Sequence, residues 1–152
     1  NSTAAAASAA AGMTSTTFGS WDRTSGNDIV AYCFAPVESF SQFGSFIANA
    51  STNGPFVYLG FRPALVVCKK SSGTGTWFVL DSARDPHNVT TNFLRWDDAA
   101  AEASSQPRLD FLSNGFKVRA PSGYTPNETN SDVYIYIAFA EHSFSLNGGL
   151  AR

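Results

Sequence analysis

The chain has 152 residues, enough for one domain with a real core, and charged residues make up only 14% of it, with a formal charge of −2. Thirteen phenylalanines stand against that sparse charge, so the surface has to be built from Ser, Thr, Asn and Gly. Without clustered Lys and Arg there is no electrostatic footprint for nucleic acid. Apolar runs such as "ALVVC" and "VYIYIAFA" are far shorter than the roughly 20 residues that a membrane-spanning helix needs.

Residues 1–27, "NSTAAAASAAAGMTSTTFGSWDRTSGN", are small and polar, with no sustained periodicity, and read as a linker or an extended N-terminal arm. They begin without Met, a basic segment or a Leu-rich stretch, so the reading is a fragment or processed product rather than a signal peptide. The composition shifts at Asp28, and the folded domain is expected over residues 28–152. Strand-like runs follow at 28–35, 55–59, 64–70, 76–81, 109–112, 116–119 and 133–140. "KKSSGTGTW" reads as a loose hairpin loop with Lys69 and Lys70 holding an edge in solvent. "LSNGFKV" places Asn114-Gly115 between two apolar runs, the type I′ hairpin signal. "WDDAAAEASSQ" (residues 96–106) predicts a short helix, with Asp97 or Asp98 as N-cap and Pro107 beyond its end. The sum is an all-β fold, an antiparallel β-sandwich of jelly-roll or concanavalin-like type.

In "VYIYIAFA" both alternating faces are apolar, which places this strand in the middle of a sheet. The expected core is Phe56, Leu65, Val67, Phe78, Phe111, Phe116, Ile137 and Phe139. Cys33 and Cys68 each sit in an apolar run; two buried thiols or a single cross-sheet disulfide both fit. Sequons at Asn1, Asn49, Asn88 and Asn127 are what chance supplies in a chain this rich in Asn, Ser and Thr.

"IVAYCFAPVESFSQFGSF" and "VYIYIAFAEHSFSLNGG" share an apolar run, Phe-Ala, a Glu (Glu38 and Glu141) and Ser-Phe-Ser. Their wide separation, with no copies between them, excludes a solenoid, and two adjacent central strands are the simpler account. With "GPFVYLGFRPALVVCKK", "WFVLDSARDP" and "LDFLSNGFKVR", they carry a resemblance. The segment 28–144 resembles a family of β-rich domains of tailed-phage virion proteins. These domains lie in tail fibres or other particle-surface polypeptides and are common in marine and cyanobacterial phages. The sequence departs from that pattern at Ser39, where a Gly usually precedes the aromatic, and at Ile47 and Ala48, where Thr and Gly are usual. The resemblance implies location in the virion, after synthesis in the host bacterial cytoplasm, and assembly as a homotrimer with other virion proteins. It supplies no catalytic residues.

For chemistry, "LDSARDPHN" packs Asp81, Arg84, Asp85 and His87 closely, a set able to do acid/base work or simply to form a hydrogen-bonded turn; the turn is the reading adopted. His142 beside Glu141 has no Ser or Cys nucleophile in a recognisable elbow. "DRTSGND" lacks the closing Glu of a calcium loop, and the histidines and cysteines are too scattered for zinc, so neither metal nor other cofactor is expected. Arg62, between Phe61 and Pro63, suits a bend, or alternatively presentation to a glycan or a neighbouring subunit. Trp21, Trp77, Trp96 and Tyr124 are the aromatics that, if exposed on one face, are the candidates with Arg62 for binding a host-surface glycan. The expected function is therefore a non-enzymatic virion module. The alternatives are a lectin-like receptor-binding module, which needs coplanar exposed rings, and a polysaccharide depolymerase, which needs two carboxylates in a groove.

Overall fold

Side-chain alternation shapes the fold, because nearly every strand has one strongly apolar face and the chain closes those faces on each other. The computed structural model describes residues 32–142. Its regular elements are β1 (Ser41–Ile47), β2 (Phe56–Tyr58), β3 (Pro63–Lys70), β4 (Phe78–Asp81), β5 (Thr90–Arg95), β6 (Ala103–Leu112), β7 (Gly115–Val118) and β8 (Val133–Ala140). All pair antiparallel in one nearly closed sheet, in the order β1-β8-β3-β4-β5-β6-β7-β2, and the described residues contain no helix. The sheet lies within the compact unit that begins at Ala35.

The interior is lined by every second residue. On β8 these are Tyr134, Tyr136 and Ala138, and facing them are Phe111 of β6 and Phe116 and Val118 of β7. Phe116 is fully buried and meets Phe46 of β1 and Tyr136 of β8 edge-to-face, with ring centroids 6.0 and 5.6 Å apart. These contacts bring β7 against β1 and β8, which are distant from it in strand order.

Five of the expected core residues need comment. Phe56 is 46% exposed because β2 is a three-residue edge strand that turns Val57 inward instead. Leu65, Ile137 and Phe139 are half-buried, and Val67, although fully buried, lies outside the interior cluster, because these four sit on the outer face of the sheet. With both faces of β8 apolar, alternation alone gives no means of choosing the tyrosine face. Phe116 is interior, as expected.

Four expected elements also change. Residues 32–36 have no regular structure, so the run 28–35 is not the first strand within the described residues, and residues 1–31 lie outside them. The partner of β8 is instead β1, "SQFGSFI", on the other side of Glu38; the two shared stretches are indeed adjacent, but β1 is an edge rather than central. No helix forms at 96–106: a turn at Trp96 and Asp97 leads into β6, whose Ala103 and Ser104 pair with Phe93 and Asn92. Helix propensity is a weak preference that sheet pairing overrides here, and Pro107 is tolerated where the β5–β6 register shifts. The hairpin is real but its register differs: Leu112 pairs with Gly115, leaving Ser113-Asn114 as the turn, with neither at positive φ. Gly115 is needed for another reason, since a Cβ there would run into the Val57 carbonyl oxygen of β2. Nor do Lys69 and Lys70 guard an edge, for β3 lies between β8 and β4.

Ser39 has φ +61°, in the left-handed region that favours glycine. Ser39→Gly should therefore raise stability by about 0.5–1 kcal/mol, read as an increased urea midpoint at unchanged slope.

Candidate functional site

The outer face of the sheet is the surface that the interior does not explain. Register places Phe43 of β1, Ile137 of β8, Val67 of β3, Val79 of β4 and Leu94 of β5 in one row across five strands, with no charged residue among them. A second row carries Phe139, Leu65 and Asp81. Phe139 is packed edge-to-face by Phe40 and Phe43 at 5.9 and 6.0 Å. Val67 and Val79 are almost wholly buried without belonging to the interior cluster, and Ile47 at the end of β1 is 63% exposed.

At one corner of this face Trp77, just before β4, and Trp96, just after β5, stand side by side. The Trp96 N–H donates to the Trp77 carbonyl at 3.1 Å, and the rings lie 6.5 Å apart, tilted by 30°. Asp97 Oδ1 accepts the Trp77 N–H at 3.1 Å, and Asp98 Oδ1 accepts the Ala100 N–H, so these carboxylates cap a turn instead of a helix. Lys69 Nζ sits 5.7 Å from the Trp77 ring centre and donates to the Gly75 carbonyl at 3.0 Å.

Of the other candidates, Trp21 lies outside the described residues, and Arg62 and Tyr124 lie elsewhere. Arg62 joins three elements: it donates to the Phe111 carbonyl at 3.0 Å, its Nε pairs with Glu141 at 2.7 Å, and its own carbonyl accepts the Glu141 N–H at 2.9 Å. Gly60 beside it has φ +79°, so the segment bends as the Gly and Pro spacing suggests. Tyr124 packs its ring 5.4 Å from the guanidinium of Arg108, which also stacks on Phe78 and Phe93. Nothing local in the sequence singles out Arg108. It is 3% exposed, donates to Thr125 O and Ser105 Oγ, and has a buried Nε without a partner.

In "LDSARDPHN" the carboxylates serve the backbone. Asp81 accepts the Arg84 N–H at 2.7 Å and pairs with its guanidinium, while Asp85 accepts the N–H groups of Thr91 and Asn92 and the Asn92 amide, each at 2.7 Å. His87 is exposed. The double variant Asp81→Ala, Asp85→Ala should cost about 2–4 kcal/mol, because the loop into β5 loses its acceptors. A urea midpoint equal to that of the parent would contradict this.

Lys70, next to Lys69, does different work: its Nζ meets Asp132 at 2.7 Å and Glu128 at 3.4 Å. The hydrogen bond from Lys70 holds the Asp132 carboxyl below its usual range, and the same bond holds the Lys70 ammonium above its own. The carboxylate's contribution is complete above its ordinary pKa of about 4 and is lost as pH falls through the lowered folded value. That of Lys70 is complete below about 10.4 and is lost as pH rises through the raised one. Asp132→Asn should accordingly flatten both ends of the stability-versus-pH curve in urea titrations.

Burial pushes the Cys68 thiol well above its usual range; Cys33 is exposed, and both are free thiols, so the disulfide alternative is not realised and only one of the two is buried. A cavity of about 330 Å³ opens beside Pro36, Glu38, Ser39, Gln42, Tyr58 and Phe61, where the segment before β1 meets the one after β2. Among the described residues no group of three or more His, Cys, Asp or Glu is placed to hold a metal ion.

A family model described as a domain of unknown function (DUF7483) matches residues 1–143. The chain belongs to this DUF7483 family. No curated protein and no solved structure matches it.

Proposed function

We propose that this DUF7483 domain is a non-enzymatic assembly module of a virion surface appendage, such as a tail fibre, and that it works as a homotrimer. The observation that carries the reading is the second apolar face. An antiparallel sheet normally buries one face and wets the other, whereas here a row from Phe43 through Ile137, Val67 and Val79 to Leu94 is apolar across five strands. Within this face Val67 and Val79 are already buried, whereas Ile47 is exposed and Ile135 and Ile137 are half-buried; apolar side chains left open on a chain with few charges favour burial against a neighbour, and cyclic closure lets each copy bury the same patch without leaving a sticky end. The phage setting rests on the resemblance of "GPFVYLGFRPALVV" and "DFLSNGFKVR". In this reading the sheet is a β-sandwich of jelly-roll or concanavalin-like type, supported by the Phe46–Phe116 and Tyr136–Phe116 ring contacts between its halves. The small, polar composition of residues 1–27 supports the arm.

The test is sedimentation velocity on the full chain and on an Ile135→Asp, Ile47→Asp variant, both positions being on the outer face. The proposal expects three times the chain mass for the parent, with a total interface above roughly 2,000 Å². It expects a folded monomer for the variant. A monomeric parent at micromolar concentration would overturn it.

A further inference from the structure

At the β4–β5 end of the outer face, Trp77, Trp96 and Lys69 form a corner with the chemistry of a sugar site, which is open to a ligand where the neighbouring copy of the proposed assembly leaves it uncovered. Trp96 is 57% exposed although it is the largest kind of side chain, and it stands beside a second indole at 6.5 Å with only 30° between the ring planes. The two indoles form a tilted pair whose exposed member, Trp96, offers an apolar ring face to a ligand. The axial C–H face of a pyranose is the polar ligand's own apolar patch, and it stacks on such a ring face while its hydroxyls stay in water or reach flanking polar groups. Neither tryptophan belongs to the core cluster, Trp77 being half-buried and Trp96 exposed.

The charges around the pair narrow the ligand. Lys69 places its ammonium over the Trp77 ring, 5.7 Å from the ring centre, and no carboxylate of the described residues pairs with it; the ammonium spends one donor on the Gly75 carbonyl. The nearby carboxylates are already engaged: Asp97 accepts the Trp77 N–H, and Asp98 accepts the Ala100 N–H and faces Arg95 at 3.7 Å. An ammonium with donors to spare beside a stacking ring complements a sugar that carries its own carboxylate. We infer that Trp96, beside Trp77, stacks a pyranose ring of an acidic, uronate-containing polysaccharide, and that Lys69 pairs with its carboxylate.

Isothermal titration of the full chain with a uronic-acid tetrasaccharide, and with the neutral hexose tetrasaccharide of the same linkage, tests this. The uronate probe should bind saturably and more tightly than the neutral one. Trp96→Ala should weaken uronate binding at least about tenfold, and Lys69→Met should weaken it several-fold while leaving the neutral probe unchanged. Trp96→Phe, which keeps a stacking face, should recover part of the loss, separating ring stacking from damage to the fold. Unchanged sedimentation of the Trp96→Ala variant shows that any loss is not a loss of assembly. Absence of saturable binding up to about 10 mM, equal binding of the two probes, or uronate binding that survives Trp96→Ala would overturn the inference.

Discussion

Phe116→Ala should destabilise the protein by about 3–5 kcal/mol, the range for truncating a large buried aromatic. Phe116 is wholly buried and is the residue through which β7 touches Phe46 of β1 and Tyr136 of β8. Its removal empties the place where the two distant parts of the sheet meet, and the strand backbones on either side are held by ladder bonds that limit collapse into the space. The measurement is the urea midpoint at unchanged slope. A shift worth less than about 1 kcal/mol would mean that the site can close and that the contact across the sheet is not where stability resides.

Asn127→Ala should cost about 3 kcal/mol or more, through polar groups rather than volume. The Asn127 side chain is fully buried, accepts the N–H groups of Asn49 and Ala50 at 3.0 Å each, and donates to the carbonyls of Ser51 and Ala120 at 2.8 Å each. It thereby locks the loop after β1 against the long connection between β7 and β8, and holds Ala50 at its positive φ of 52°. Alanine leaves all four backbone groups without this partner. Asn127→Asp keeps the acceptors but loses the amide donors and buries a charge. It should therefore be less damaging in acid, where a protonated carboxyl can donate, than at neutral pH. Equal destabilisation by Asp at both pH values would argue against this network.

The same residues show what a sequence of this kind discloses. β3, β4, β7 and β8 were legible because their apolar runs are dense and bounded by Gly, Ser and Asn. β1, "SQFGSFI", and β5, "TTNFLR", were not, because polar residues interrupt them and their pairing is set by β8, β4 and β6 rather than by local pattern. The Asn-Gly pair marked the right hairpin, although Gly115 is required by the approach of β2 and not by the turn. The role of Asn127 is not legible, because nothing local distinguishes a buried asparagine from an exposed one. Arg62 was readable as a bend residue from Gly60 and Pro63, but its bond to Phe111 spans 49 positions. The tryptophan pair is half legible: Trp77 and Trp96 stand out as candidate rings, whereas their adjacency and Lys69 beside them come only from the β3–β4–β5 register.

The central claim is that β8 turns its tyrosines inward and offers its isoleucines to a neighbouring copy. Isotope-filtered nuclear Overhauser spectroscopy on a mixed assembly, half methyl-labelled and half unlabelled, tests it most directly. The account predicts intermolecular contacts from the methyls of Ile135 and Ile137 and none from those of Val66 or Leu109, which lie in the interior. Intermolecular contacts from the interior methyls, or none from either isoleucine, would contradict it.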